Sequence, residues 1–144
     1  MQDKIKILLV DDDEMMRIYF RDIFWIHGCS DTYEISIAAS LAEAEKKIEV
    51  KETRPSIIFL DAMMPIEGEE NSPNSQIRRT FDFIEKIRKN KDLPYIKIVI
   101  YSGHKEKYIE DVFRDLGVDG YLIKGELMPK EIIAFTDKIH EPHN

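Results

Sequence analysis

The sequence predicts an α/β fold built on a doubly wound parallel sheet, and three observations carry that reading. Short apolar runs alternate with longer stretches of helical periodicity from one end of the chain to the other. Several of the short runs, Ile57 to Leu60 most plainly, are apolar without a break, as strands covered on both faces are, rather than at every second residue. Four of them end on a reactive side chain: Val10 into Asp11, Asp12 and Asp13; Leu60 into Asp61; Tyr101 into Ser102; Ile123 into Lys124. If the strands run parallel, those ends meet at one edge of the sheet.

Each element follows in turn. Ile5 to Val10 is the first strand, and Met16, Phe20, Ile23 and Phe24 then recur at helical spacing until His27-Gly28 closes the helix. Tyr33 to Ala39 reads as the second strand. Ser40 opens a helix through Ile48, with Glu43 three residues on as a capping box. Ile57 to Leu60 is the third strand and Phe81, Ile84 and Ile87 mark the third helix, which leaves residues 66–80 as a loop insertion. Ile96 to Tyr101 is the fourth strand. Ile109, Val112, Phe113 and Leu116 make an i, i+3, i+4, i+7 face ending at Gly117. Gly120 to Ile123 is the fifth strand, and a last helix carries Met128, Ile132, Phe135 and Ile139, with Pro129 in its first turn. Five strand and helix pairs with right-handed crossovers place helices on both faces of the sheet. Periodicity does not set the strand order. The flavodoxin-like order 2-1-3-4-5 is preferred because it brings the acids after strands one and three together, where such sheets bind ligands.

Composition narrows the function. A chain of 144 residues fits one domain able to bury a core without cross-links. The single cysteine, Cys29, excludes an internal disulfide and suits a reducing, cytoplasmic setting. No apolar run is long enough to span a bilayer, and the N-terminus does not resemble a secretory signal. A net charge of -7 argues against direct nucleic-acid binding and for protein partners.

Carboxylates, a hydroxyl and an ammonium at one sheet edge are what handling a phosphoryl group on magnesium requires. A plainer reading treats Asp11, Asp12 and Asp13 as a cap and first-turn acids of the helix that follows, each favoured by about 0.3–1 kcal/mol. It accounts for Asp13 as a cap, but not for Asp61 and Lys124.

Four stretches resemble the receiver domain of two-component response regulators: residues 7–13, Asp61-Ala62-Met63-Met64-Pro65, Ile98 to Gly103, and Gly120-Tyr121-Leu122-Ile123-Lys124. The likeness covers nearly the whole chain, as a single receiver domain over residues 1–144 with no output domain. It implies that Asp61 becomes a 4-aspartylphosphate in a two-component phosphorelay. Mg2+, or Mn2+ in its place, would be held by Asp12, Asp61 and the backbone carbonyl of Met63, and by Asp11 through a water. Ser102 and Lys124 would bind the phosphoryl group, and Tyr121 would swing inward as Ser102 moves, unless it is an ordinary strand tyrosine. Met63 and His104 occupy places where such families tune hydrolysis, whereas His27, His140 and His143 read as solvated.

The resemblance also implies the partners: a histidine kinase or histidine phosphotransfer protein upstream, and a downstream protein docked on the last two helices and fifth strand. The protein would act as a monomer or a phosphorylation-dependent dimer, catalysing only its own phosphorylation and dephosphorylation. Two other readings remain, a receiver-like docking module that works unphosphorylated and an aspartate-nucleophile phosphohydrolase. The second would want an acid two residues after Asp61, where Met63 stands.

Three features depart from the family pattern. Gly125 replaces the usual proline after the lysine and Gly103 a small alanine, both expected to loosen the backbone. The 66–80 insertion, rich in Glu67, Glu69, Glu70, Arg78 and Arg79, is expected to overhang the site, either as a mobile polar loop or as a gate or partner contact.

Overall fold

The computed structural model describes residues 3–140. Strands and helices alternate as β1 (Ile5–Val10), α1 (Glu14–Ile26), β2 (Tyr33–Ala38), α2 (Leu41–Glu49), β3 (Ile57–Leu60), α3 (Pro73–Lys89), β4 (Lys97–Ser102), α4 (Lys107–Asp115), β5 (Gly120–Ile123) and α5 (Pro129–His140). The five strands form one parallel sheet in the order β2-β1-β3-β4-β5, the order preferred above.

Alternation along each strand divides the core in two. Leu8, Val10, Ile58, Leu60, Ile98 and Ile100 point to the face covered by α2, α3 and α4. Ile7, Leu9, Ile57, Phe59, Val99 and Tyr101 point to the face covered by α1 and α5. On that second face Phe20 stacks at 4.9 Å from Phe59 and 5.9 Å from Tyr101, both tilted. Tilted ring pairs of this kind add about 0.5–1.5 kcal/mol beyond burial.

The caps follow the sequence closely. Asp13 caps α1, accepting from Met15 N (2.9 Å) and Met16 N (3.4 Å). Ser40 caps α2 through Glu43 N, while the Glu43 carboxylate reaches Ala39 N at 2.8 Å, one residue short of the reciprocal bond of a capping box.

The largest difference from expectation is α3, which begins at Pro73, eight residues before Phe81. Ser72 caps it by accepting from Ser75 N, and Pro73 sits in its first turn, where a missing N–H costs nothing. Of residues 73–80 Ile77 is the one apolar residue packed against the core, and Thr80 the one that is fully buried. Thr80 is fully buried and satisfies its hydroxyl on the Gln76 carbonyl. An apolar count misses a turn whose core contact is a threonine.

The insertion is therefore a loop only over residues 66–72. Asn71 ties it into a ring, accepting from Ile66 N and donating to Ile66 O, and Arg79 donates back to Asn71 Oδ1 at 2.6 Å. Ile66 and Arg79 line a cleft with Leu41 and Ala42, so the segment leans on α2.

The remaining boundaries shift by one or two residues. The chain-end reading at residues 141–144, including His143, lies outside the described residues. No helix among the described residues is long and apolar enough to cross a membrane.

Candidate functional site

Register builds the site. Val10 pairs with Leu60, so the residues that follow them, Asp11 and Asp61, leave adjacent strands side by side. Their backbones are fixed by Asp11 N to Ala38 O (3.0 Å) and Asp61 N to Val10 O (3.1 Å).

The two acids share one design. Asp11 Oδ1 accepts from Asp13 N at 2.9 Å, and Asp61 Oδ1 accepts from Met63 N at 3.1 Å, each bonding its own backbone two residues on. Their other oxygens face the Lys124 ammonium, which lies 2.6 Å from Asp11 Oδ2 and 2.9 Å from Asp61 Oδ2. Asp11 is 1% exposed, Asp61 9% and the Lys124 side chain 17%, so this triad is largely withdrawn from water.

Burial pushes the Asp61 carboxyl above its ordinary pKa, the Lys124 charge opposing but not cancelling the effect. Burial works against the Lys124 charge as well, but Asp61 and Asp11 outweigh it and raise its pKa.

Asp12 completes the cluster from the solvent side. One oxygen from each of Asp11, Asp12 and Asp61 lies within 4.8 Å of the others. Three carboxylates against one ammonium leave the cluster formally negative. An all-oxygen donor set with that charge fits a hard divalent cation such as Mg2+ rather than a soft metal.

Ser102 lies at the end of β4, paired with Ile123, and its carbonyl accepts from Lys124 N at 2.8 Å. Its fully buried hydroxyl accepts from His104 N at 3.2 Å, which leaves the hydroxyl hydrogen for another acceptor. Tyr121 packs inward on the α4 face at 8% exposure, and its hydroxyl donates to the His104 carbonyl at 2.8 Å. The His104 ring is half-exposed, 3.9 Å from the Glu106 carboxylate. The β4–α4 and β5–α5 loops are linked further by Lys105 to Glu126 at 2.8 Å. Gly125 adopts φ +85°, a conformation open to glycine and closed to proline, and it turns the chain directly after Lys124.

Two residues of the site escaped the sequence reading. Arg17 donates to the Asp11 carbonyl at 2.8 Å and braces the acidic loop from the first turn of α1. Tyr101 is buried beneath the site, its pKa pushed up to about 12 by burial first and by the neighbouring Tyr19 second. Arg17 had no motif to announce it, and Tyr101 read simply as the end of an apolar strand.

The sequence family described as the response regulator receiver domain matches residues 7–136. The chain belongs to this family. Among curated proteins it is similar to the response regulator protein VraR of Staphylococcus aureus, 34% identical over 125 residues that cover 83% of this chain and 49% of the relative. This receiver domain thus spans about half the length of the curated relatives it matches.

Solved structures share its fold. A CheY-like response regulator receiver domain protein from Methanospirillum hungatei JF-1 superimposes with a TM-score of 0.72 at 23% identity, over 95% of this chain and 94% of the other. Chemotaxis response regulator CheY4 of Vibrio cholerae gives 0.72 at 20% identity, over 95% and 99%. The non-phosphorylated HemR receiver domain from Leptospira biflexa gives 0.70 at 21% identity, over 98% and 100%.

Proposed function

We propose that this receiver domain accepts a phosphoryl group from a phosphohistidine donor onto Asp61 and signals by a change of shape read by a docked protein. The donor is a histidine kinase or a histidine phosphotransfer protein. The observation that carries the proposal is the single ammonium shared by two buried carboxylates beside a third, exposed one. An ion pair needs one acid; here one lysine faces two, with a third beside them, and the three carboxylates together could hold a divalent cation.

In the transfer, a carboxylate oxygen of Asp61 forms a bond to phosphorus as the phosphorus–nitrogen bond of phosphohistidine breaks. The electron pair leaves with the imidazole, and the product is an acyl phosphate. Mg2+ or Mn2+ would be held by Asp12, Asp61 and the Met63 carbonyl, and by Asp11 through a water, and would supply positive charge to neutralise the phosphoryl oxygens. Lys124 offsets charge on the same oxygens, and the Ser102 hydroxyl donates its free hydrogen to one of them. No general base is needed to make an ionised aspartate attack.

Tyr121 already lies inward, tied to the loop that follows Ser102, so capture of the phosphoryl group by Ser102 would transmit to α4 through that loop. Met63 and His104 flank the site and would tune access of the water that hydrolyses the acyl phosphate. The docked target would read α4, β5 and α5. Residence in the cytoplasm, no direct binding of nucleic acid, and a monomer or phosphorylation-dependent dimer complete the reading.

Incubation with Mg2+ and a small phosphodonor tests it. The expected result is an acid-stable, base-labile mass gain of one phosphoryl group, abolished by Asp61→Asn. No adduct would favour a docking module that works unphosphorylated, and turnover of an added phosphoester would favour a hydrolase.

A further inference from the structure

Asp12 is the acid of the cluster whose side chain is not braced. Asp11 and Asp61 each accept from their own backbone and share Lys124. The Asp12 carboxylate is exposed, and among the described residues no group donates to it. Its place within 4.8 Å of the other two is therefore set by its backbone.

Peptide units are planar and rigid, so the two that flank a residue fix the direction of its side chain. Both units beside Asp12 are held. The one after it is fixed by Asp13 N, which donates to Asp11 Oδ1 at 2.9 Å. The one before it carries the Asp11 carbonyl, which lies past the last strand pair, Val10 with Ala38, and receives no backbone N–H among the described residues. Arg17 supplies the missing donor, its Nη1 at 2.8 Å from that oxygen. Arg17 is itself anchored, since its backbone N–H donates to Asp13 O at 3.1 Å in the first turn of α1. Helical side chains lean towards the N-terminus of their helix, which carries the guanidinium back over residues 11–13.

We infer that, given the metal site proposed above, Arg17 is a positioning residue for the divalent cation: it holds the Asp11–Asp12 peptide so that the Asp12 carboxylate points into the acidic cluster. Charge alone would act in the opposite sense, because a guanidinium beside the cluster repels a divalent cation. Position and charge thus predict changes of opposite sign when Arg17 is removed.

Titration of the intact chain with Mn2+, without a phosphodonor and read from the electron paramagnetic resonance signal of the free ion, separates them. Arg17→Met is expected to weaken Mn2+ binding roughly 10–100-fold, the usual loss when a group that orients a ligand is removed, with the circular dichroism spectrum unchanged. Arg17→Lys keeps the charge but not the planar fork, and is expected to weaken binding by a smaller factor, which charge cannot explain. In an Asp12→Asn background Arg17→Met is expected to add little, because the carboxylate it aims is gone. Phosphorylation of Arg17→Met should need more Mg2+ and regain the wild-type rate at saturation. Mn2+ binding that is unchanged or tighter in both folded Arg17 variants would overturn the inference and leave the acids as the metal site, as would an equal loss in the Asp12→Asn background. Wild type that binds Mn2+ no better than Asp12→Asn would overturn the inference and the metal site together.

Discussion

Lys124 holds two carboxylates whose remaining oxygens are fixed on their own backbones, so its loss would leave two buried acids facing each other without a cation. Removing one partner of a buried pair typically costs about 3–5 kcal/mol. Lys124→Ala is expected to lose stability on that scale in urea unfolding, and adding Asp61→Asn to recover part of it, since the second change removes one of the stranded charges. A second expectation concerns pH. Tyr101 and Tyr121 are both pushed up to about 12, burial being the first cause in each. Each folded-state value exceeds the unfolded one, so stability from the neutral phenols is present below about pH 10 and is lost as pH rises towards 12. Tyr95 is raised as well, by burial first and by Asp119 second, so absorbance titration should show Tyr101 and Tyr121 among the late-ionising tyrosines, and Tyr121→Phe should remove one ionisation near pH 12. The acids were legible in the sequence because each ends a strand. The Gly125 corner was legible only as a departure from the family's proline; its positive φ, which turns the chain directly after Lys124, was not.

At the scale of elements, the sheet was the most readable part, because unbroken apolar runs such as Ile57 to Leu60 have one home in a covered parallel sheet. The start of α3 was not readable, because its first turns meet the core through one apolar residue, Ile77, and a threonine, Thr80, and are otherwise polar. Packing of α5 on β5 depends on a glycine. A Cβ at Gly120 would stand 2.5 Å from the tip of the Phe135 ring. Gly120→Ala is expected to cost about 1–3 kcal/mol by overpacking, with Phe135→Leu recovering part in thermal or urea unfolding.

For the whole molecule, the strand order was chosen on chemistry and is the observed one: β1 and β3 lie adjacent at the centre, which sets Asp11 and Asp61 side by side, and β5 brings Lys124 across from the far edge. The central claim is that Asp61 is the phosphoacceptor. An aspartyl phosphate is reduced by borohydride to homoserine, so the modified position can be read by peptide mass mapping after treatment with a small phosphodonor and Mg2+. The account expects homoserine at position 61, and its loss when Mg2+ is withheld. Homoserine at Asp11, Asp12 or elsewhere, or no conversion in a folded chain, would contradict it.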